Sequence, residues 1–595
     1  MCGPHMCLIL LSIFRTPISI LLPASSTVMP PITIHHPCLG ALKCLHDTST
    51  SLIKILGIPY ATIPQRFARS KLCQRPADCT SSHTRLQNGV FDATSPGPSS
   101  IQPFGSVKAD ASNIPLPTDT LPEDEDQSED CLNLSFHVPD TVLNEAKNSF
   151  NSDAKLPVLV FIHGGAYFLG SGNRPYYSPI SLLQHAIKTG KPIIYVSVNY
   201  RLGALGFLHA QTPHNLVPEN NGLHDQLRAL EWVQKHIGGF GGDTWNVTAL
   251  GQSAGGESLS ILSFSEKVRG INLFARAVAL SGTSVTMPAL TPTAHTSNFL
   301  SQAAKLGIPT ENRAIEDIAQ DMLAAPVDKI RELAWVGLPC TQTELFPFEK
   351  PSMGMVRKGG PDAWQGKGRG GVQALIVGST TFDGGISFNM MARDEKRKEH
   401  AGAFRAIARD VLGREAGEEL CRLYGIEDGA PDAEALQRIC LFESDIGFFF
   451  AALATCESGL VDATYFQIFD LPDPFDGPLK EMGEYATHTF DVTTLLGGYD
   501  ESLLPREYKS VVDAWRDTML DFVVDGSAPC ERYGEGGRAL VIGRDGVKEV
   551  GRGEYMESDG RRREKLMDLA GRVDEEKGWD VLWVDVCRRF LMKGE

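Results

Sequence analysis

The residue best placed to act as a nucleophile is Ser253, which lies in the run Gly-Gln-Ser-Ala-Gly over residues 251–255. The run follows an apolar, strand-like segment and precedes a helix-like one. This pattern is typical of a nucleophile elbow, in which the serine occupies a strained turn and flanking glycines avoid clashes with the adjacent strand and helix. No second G-x-S-x-G run occurs in the 595 residues. The alternative is an ordinary Gly-rich turn between a strand and a helix.

A catalytic serine needs a general base, and the chain contains fifteen histidines, of which His295, His400 and His488 follow Ser253. On a doubly wound hydrolase sheet the order along the chain is serine, acid, histidine. His400 lies in a highly charged run that predicts a solvated helix face. His295 follows Ser253 too closely to leave room for a strand that carries the acid. The predicted base is therefore His488, which follows a strand-like segment and a Pro-rich loop.

The predicted acid is Asp383, because it follows an apolar strand-like segment (residues 374–378) and precedes two glycines. The glycines would let the loop bend so that the carboxylate faces the histidine. Its role would be to fix the imidazole tautomer and to stabilise the imidazolium. Asp470 and Asp491 remain rivals for this role.

An acyl-transfer site also needs hydrogen-bond donors for the oxyanion. His-Gly-Gly-Ala at residues 163–166 follows an apolar strand, and its small residues allow the backbone to approach a substrate oxygen closely. The predicted donors are the backbone N–H groups of Gly165, Ala166 and Ala254, the residue after the nucleophile. His163 is expected to brace this loop instead of transferring protons.

Apolar segments that alternate with helical patterns predict an α/β fold, with a large central, mostly parallel, twisted sheet flanked by helices. Helical stretches without strands predict insertions over the active site at about residues 290–370 and 390–450. Beyond Tyr533 the chain is rich in glycine and charge, and only a final helix over residues 580–592 is predicted there. The predicted strands nearest the site cover residues 132–138, 156–163, 192–198, 247–250, 275–280, 374–378 and 465–469.

Composition limits the domain count and the partners. Residues 1–28 predict an N-terminal extension that is disordered or weakly signal-like, and residues 29–595 predict a single domain. No transmembrane segment is expected, because the apolar run 6–22 is too short and too interrupted to cross a bilayer. The net charge of −17 disfavours nucleic acid as a partner. Thirteen cysteines without a C-x-x-C pair predict mostly reduced thiols.

Ordered motifs along residues 51–525 resemble the type-B carboxylesterase family, which includes cholinesterases, cholesterol esterases and fungal lipases. The resemblance implies an α/β-hydrolase fold and serine hydrolysis of a small-molecule carboxylic ester, with Ser253, Asp383 and His488 as the triad and no cofactor. Besides the Ser253 run, it rests on Gly-Ile-Pro-Tyr-Ala at 57–61, Glu-Asp-Cys-Leu-Asn-Leu at 129–134, His-Gly-Gly-Ala at 163–166, Asn-Tyr-Arg-Leu-Gly at 199–203, Asn-Gly-Leu-His-Asp-Gln at 221–226, Phe-Gly-Gly-Asp at 240–243 and Arg-Ala-Val-Ala-Leu-Ser-Gly at 276–282.

Departures from the family pattern refine this expectation. The family acid is usually glutamate, whereas Asp383 is one methylene shorter, so its loop must lie closer to the histidine. Cys131 lacks the upstream cysteine with which secreted members pair it, and no cysteine lies between Cys131 and Cys340. These losses predict an intracellular enzyme, the alternative being secretion if the N-terminal apolar run is a signal peptide. No tryptophan precedes Trp232, which disfavours quaternary ammonium substrates.

The expected substrate is a hydrophobic, mid-sized or secondary-metabolite ester bound under the helical insertions. Two alternatives stay open at this point. An acyltransferase would use the same acyl-enzyme with a different acceptor. A non-catalytic binding protein is a second alternative, since some relatives of the family have lost the nucleophile.

Overall fold

A single large sheet dominates the computed structural model, which describes residues 29–79, 85–114, 116, 121–122, 124–269, 271–287, 289–333, 338–347, 349–360, 371–392, 394, 397–475, 484–534 and 536–592. The predicted extension over residues 1–28 lies outside these described residues. The sheet has fourteen strands: β1 Pro31–His36, β2 Gly40–Asp47, β3 Leu52–Pro59, β4 Leu86–Gln87, β5 Val90–Asp92, β6 Asn133–Pro139, β7 Leu156–Ile162, β8 Ile194–Val198, β9 Gly242–Gln252, β10 Arg276–Leu280, β11 Ala374–Thr380, β12 Ala463–Asp470, β13 Ala539–Gly543 and β14 Gly546–Val550.

The strands run in the spatial order β14-β13-β12-β11-β10-β9-β7-β8-β6-β3-β2-β5-β4, with β1 paired to β2. Seven consecutive strands, in the spatial order β13-β12-β11-β10-β9-β7-β8, are parallel to one another. The strands that flank this run, β14 and β6, are antiparallel to it. Strands β8, β10 and β11 are buried along their whole length, as continuous apolar runs covered on both faces should be. The predicted fold class is therefore confirmed.

The helices lie between the strands and cover the sheet. They are α1 Ser106–Ala111, α2 Ile180–Lys188, α3 Gly203–Phe207, α4 Asn221–His236, α5 Ala254–Phe264, α6 Glu266–Arg269, α7 Pro292–Lys305, α8 Ile315–Ala324, α9 Val327–Arg331, α10 Met353–Arg357, α11 Gly385–Ala392, α12 His400–Tyr424, α13 Asp432–Glu443, α14 Phe450–Glu457, α15 Phe490–Leu496, α16 Arg506–Asp525, α17 Arg552–Val573, α18 Gly578–Asp580 and α19 Arg589–Leu591. A π-helical turn, Ser444–Phe449, joins α13 to α14, and another, Val581–Arg588, joins α18 to α19. We call residues 578–591 the C-terminal helical segment.

Strand register brings the ends of the central strands to one edge of the sheet. Ile162 of β7 is level with Gly251 of β9, and Leu280 of β10 is level with both Gln252 of β9 and Gly378 of β11. In a parallel sheet, the loops that leave these carboxyl ends meet above the same edge. Ser253 and the loops that follow β7 and β11 therefore converge there.

The two predicted insertions occupy different places. Helices α7, α8 and α9 pack with α3 in a separate hydrophobic cluster, and none of their described residues lines the cavities beside Ser253. Helix α11, the start of α12, Glu443 of α13 and Phe448 of the π-helical turn line those cavities instead, so only part of the predicted cover lies over the site.

The prediction for the end of the chain was incomplete. Strands β13 and β14 extend the main sheet, and α17 follows them before the C-terminal helical segment. Cys73 and Cys79 form a disulfide, which the prediction of mostly reduced thiols did not include, and nine other cysteines in the described ranges are free. Within the same ranges, one helical stretch, Asp432–Glu457, is long and apolar enough to cross a membrane, and its most apolar window is entirely buried inside the fold.

Candidate active site

The turn between β9 and α5 holds Ser253 in a strained conformation, with φ 55° and ψ −124°. A Cβ on Gly251 would lie 2.3 Å from the Gly255 carbonyl oxygen, and one on Gly255 would lie 2.1 Å from the Ile162 carbonyl oxygen. Only glycine fits at either position. The Ser253 N–H donates to the Leu280 carbonyl at 2.8 Å, which fixes the turn against β10. The serine is therefore held at the carboxyl edge of the sheet, as a nucleophile elbow requires.

Two loops that are far apart in sequence are joined by backbone contacts directly beside the candidate acid and base. Phe382 and Thr487 form an isolated parallel β-bridge, and the Phe382 N–H donates to the Ala486 carbonyl at 2.9 Å. The Phe382 ring stacks on the Tyr485 ring with 5.0 Å between centroids. The next residue in each loop is Asp383 in one and His488 in the other, so this pairing brings the two together.

The structure joins Asp383 to His488 by a hydrogen bond. The His488 Nδ1–H donates to Asp383 Oδ1 at 2.7 Å, and the Thr380 N–H donates to Asp383 Oδ2 at 2.9 Å. Both carboxylate oxygens are satisfied although the side chain is fully buried. With its proton on Nδ1, the imidazole presents an unprotonated Nε2 that can accept a proton, as a general base must.

Gln252 is a site residue that the sequence did not reveal. Its Nε2 amide donates to His488 Nε2 at 2.9 Å, so Gln252 occupies the lone pair that must accept the Ser253 proton, and among the described residues no hydrogen bond joins Ser253 Oγ to His488. The residue occupies the variable position before the serine in G-x-S-x-G, where the motif prescribes no side chain. Only the folded geometry places this amide against the histidine.

The rival acids and histidines occupy other environments. Asp491 accepts from Ser281 Oγ at 3.5 Å and from the Val492 N–H at 2.7 Å, and burial together with nearby Asp383 raises the pKa of its carboxyl to about 7. Asp470 is exposed at the end of β12. The prediction that His400 lies on a solvated face was wrong: its side chain is buried, with its ring 6.1 Å from that of Phe590.

The loop after β7 has the geometry expected of oxyanion donors. Gly165 and Ala166 have φ of 100° and 55°, and a Cβ on Gly165 would lie 2.2 Å from the Leu169 carbonyl oxygen. In the described part of the chain, the backbone N–H groups of Gly165, Ala166 and Ala254 have no hydrogen-bond acceptor. Donors of this kind are available to a substrate oxygen.

His163 braces this loop. Its Nδ1–H donates to the Gly164 carbonyl at 2.8 Å, and its ring stacks on Tyr200 with 4.6 Å between centroids. Burial lowers the pKa of His163 to about 3, so the ring is neutral and does not exchange protons near neutral pH.

Ser253 lies between two adjoining cavities of about 310 Å³ and 670 Å³. Both are lined by Ser253, Ala166 and two residues of α11. The smaller cavity is also lined by His488 and by Phe104, whose side chain is 72% exposed at the entrance. The larger cavity is lined by Ala254 and by residues of α13 and the C-terminal helical segment.

Comparison with known proteins gives a consistent result. The model of the "Carboxylesterase family" matches residues 39–497. The chain is 37% identical over 245 residues to para-nitrobenzyl esterase of Bacillus subtilis (41% of this chain, 43% of the relative). It is 34% identical over 253 residues to neuroligin-2 of Mus musculus (39% of this chain, 28% of the relative). It thus matches less than half the length of these curated relatives. A solved structure titled PNB esterase superposes with a TM-score of 0.64 at 23% identity, covering 90% of this chain and 99% of that one.

Proposed function

The chain belongs to the carboxylesterase family, and on that premise we propose that it hydrolyses carboxylic esters through an acyl-enzyme on Ser253. The observation that carries the proposal is the buried Asp383–His488 hydrogen bond beside a strained serine, at a cavity that Ser253 and His488 both line. Nucleophile, base and orienting acid are the parts that acyl transfer needs.

The proposed reaction follows from these roles. Once the Gln252 amide releases His488 Nε2, this nitrogen takes the hydroxyl proton as Ser253 Oγ attacks the ester carbonyl carbon, and the carbonyl π electrons move to the oxygen. The free N–H groups of the oxyanion loop and of Ala254 stabilise this oxyanion. The C–O bond to the alcohol then breaks, and the alcohol oxygen takes the proton from His488. Water, deprotonated by His488, then attacks the carbonyl carbon of the acyl-enzyme and forms a second tetrahedral intermediate. The bond from this carbon to Ser253 Oγ breaks, Oγ takes the proton back from His488, and the acid is released.

The two cavities have different roles in this reaction. The leaving alcohol must lie on the side of His488, because His488 protonates it. The smaller, largely apolar cavity contains His488 and suits the alcohol. The larger cavity contains Ala254 but not His488 among its lining residues, and it suits the acyl group.

The second candidate is a non-catalytic binding role, because the chain is also similar to neuroligin-2. The test compares hydrolysis of p-nitrophenyl acetate by the wild-type protein and by Ser253→Ala. The esterase proposal expects wild-type turnover and its loss by about a millionfold in the variant, with unchanged thermal unfolding. Equal rates in both proteins, or no turnover of any ester by a folded wild type, would contradict it. Product analysis with and without an added alcohol then separates hydrolysis from acyl transfer.

A further inference from the structure

Part of the wall of the larger cavity is built from residues that lie beyond the family match, namely Trp583, Arg588, Phe590, Leu591 and Met592. Trp583 of the C-terminal helical segment packs on the π-helical turn so closely that a Cβ on Gly447 would lie 2.5 Å from its ring. The Arg397 guanidinium donates to the carbonyl oxygens of Phe590 and Leu591, each at 2.6 Å. A cation at the carboxyl end of a helix is stabilising, so these contacts fix the wall in place.

Glu257 faces this cavity from beneath the nucleophile. It lies one helical turn after Ser253, and its N–H donates to the Ser253 carbonyl at 2.9 Å, so both residues share a face of α5. The side chain is fully buried, and within the described ranges neither carboxyl oxygen has a hydrogen-bond partner. The Met287 N–H is nearby but does not reach hydrogen-bond geometry. Burial raises the pKa of Glu257 well above its usual value and so favours its protonated form.

Glu443 faces the same cavity from the end of α13. Its Oε1 accepts from Ser387 Oγ at 2.7 Å, whereas its Oε2 has no partner among the described residues. The side chain is 5% exposed, and burial raises the pKa of its carboxyl to about 8. The positive charge of Arg588, on the cavity wall, favours the ionised form of both glutamates but does not overcome the effect of burial.

A protonated carboxyl offers one donor and one acceptor, and an unpaired buried polar group is costly. A substrate that enters the cavity must supply matching hydrogen bonds or leave these groups unpaired. We propose that the larger cavity selects esters whose acyl group carries a hydroxyl, and that Glu257 and Glu443 are the specificity-determining partners of that hydroxyl. The inference rests on the proposed function for the assignment of this cavity to the acyl group.

A hydroxyl is matched to either protonated carboxyl, because it donates and accepts at once. A carboxylate only accepts and an ammonium only donates, so either would leave half of the hydrogen-bonding capacity of the glutamates unused. An alkyl chain would use none of it. The expected substrates are therefore esters of hydroxylated acids.

The experiment compares p-nitrophenyl octanoate with esters hydroxylated at successive carbons from the middle to the end of the same chain. The p-nitrophenyl esters of suberic acid and of ω-aminooctanoic acid serve as anionic and cationic probes. We expect the best hydroxylated ester to exceed octanoate in kcat/KM by about ten- to a hundredfold. Binding of the same esters to Ser253→Ala, measured by calorimetry, gives a second readout that does not need turnover.

Variants assign the preference to the two glutamates. Glu257→Leu and Glu443→Leu should each bring the hydroxyl-to-alkyl ratio towards one, whereas Glu443→Gln should keep most of it, because an amide also donates and accepts. Asp473→Asn is the matched control, since Asp473 is another buried carboxyl with an unpartnered oxygen but lines neither cavity. This control should leave the ratio unchanged.

The outcomes separate the two proposals. Two outcomes overturn the acyl-group inference and leave the esterase proposal intact. In the first, octanoate is turned over and neither readout shows a hydroxyl preference. In the second, the anionic or the cationic ester is preferred over the hydroxylated one. A hydroxyl preference in binding, with no turnover of any ester by the wild type, overturns the esterase proposal and supports only recognition of a hydroxyl by the larger cavity. A preference that survives both leucine variants assigns it to other residues and also overturns the inference.

Discussion

Replacing Asp383 by asparagine tests the assignment of the acid most directly. The two oxygens of Asp383 have different partners, the His488 Nδ1–H at 2.7 Å and the Thr380 N–H at 2.9 Å. Asparagine has one oxygen, which can serve only one of these donors. If the oxygen stays on Thr380, the amide N–H₂ faces His488 and forces the imidazole proton onto Nε2. Reversing the amide would set its N–H₂ group against the buried Thr380 N–H and leave donors unpaired, at a cost of about 1–3 kcal/mol.

The folded geometry therefore favours the tautomer that cannot accept the proton of Ser253. Loss of the correct tautomer at a buried Asp–His pair lowers kcat by about 10³- to 10⁴-fold. At about 1.4 kcal/mol for each tenfold change, that is about 4–5.5 kcal/mol of transition-state stabilisation. KM should change little, because Asp383 does not line either cavity.

The assay is steady-state hydrolysis of p-nitrophenyl butyrate, with thermal unfolding followed by circular dichroism to confirm folding. Asp491→Asn and Asp470→Asn are the matched controls, because both remove an aspartate considered for the same role. Neither aspartate has a hydrogen bond to His488, so we expect kcat to stay within about tenfold of the wild type. A thousandfold loss in either control, combined with near-normal turnover by a folded Asp383→Asn, would refute the assignment.

Three further predictions concern stability. The pKa of Asp491 is about 7 in the folded protein and about 4 in the unfolded chain. Between these pH values the folded state binds more protons, so the free energy of unfolding falls as the pH rises from 4 to 7. Asp491→Asn should remove that fall, worth at most about 4 kcal/mol, in urea unfolding measured across this range. Asp445→Asn removes the carboxylate that pairs with the buried Arg562 and Arg563, and it should destabilise the fold by about 3–5 kcal/mol in the same assay. Gly255→Ala should yield little folded protein, because its Cβ would overlap the Ile162 carbonyl, whereas Gly402→Ala, with open space around it, should fold normally.

The prediction of the candidate triad rests on a local pattern at Ser253 and on chain order for the other two residues. The glycines around Ser253 are required because a side chain at either position would clash with backbone close to the turn. The turn could therefore be predicted from the run itself. Asp383 and His488 were predicted from chain order and from their positions after apolar strands, and their hydrogen bond agrees with that pairing. The central strands were predicted because burial on both faces makes them continuous apolar runs.

The parts that sequence reasoning missed depend on distant contacts. Strand β14 is the edge of the sheet and carries exposed Lys548 and Glu549, so it lacks the apolar run of a central strand, whereas β13 has such a run and was overlooked. The charged residues around His400 predicted exposure, but the C-terminal helical segment covers that histidine with Phe590. Gln252 had no signal, since its role comes from a loop more than two hundred residues later.

An aspartate at the position of the acid is explained by how its loop is held. The sequence suggested that a shorter side chain needs a closer loop, and the Phe382–Thr487 bridge provides it, because backbone pairing sets the following residues side by side. A Cβ on Gly384 would lie 2.1 Å from the Cys440 carbonyl oxygen, and the Gly384 N–H donates to Ser444 Oγ at 2.8 Å. The same turn is thus pressed against α13 and the π-helical turn, the elements that carry Glu443 and support Trp583. The position of the acid and the shape of the larger cavity therefore depend on the same packing, so substitutions that move α13 should alter turnover and substrate preference together.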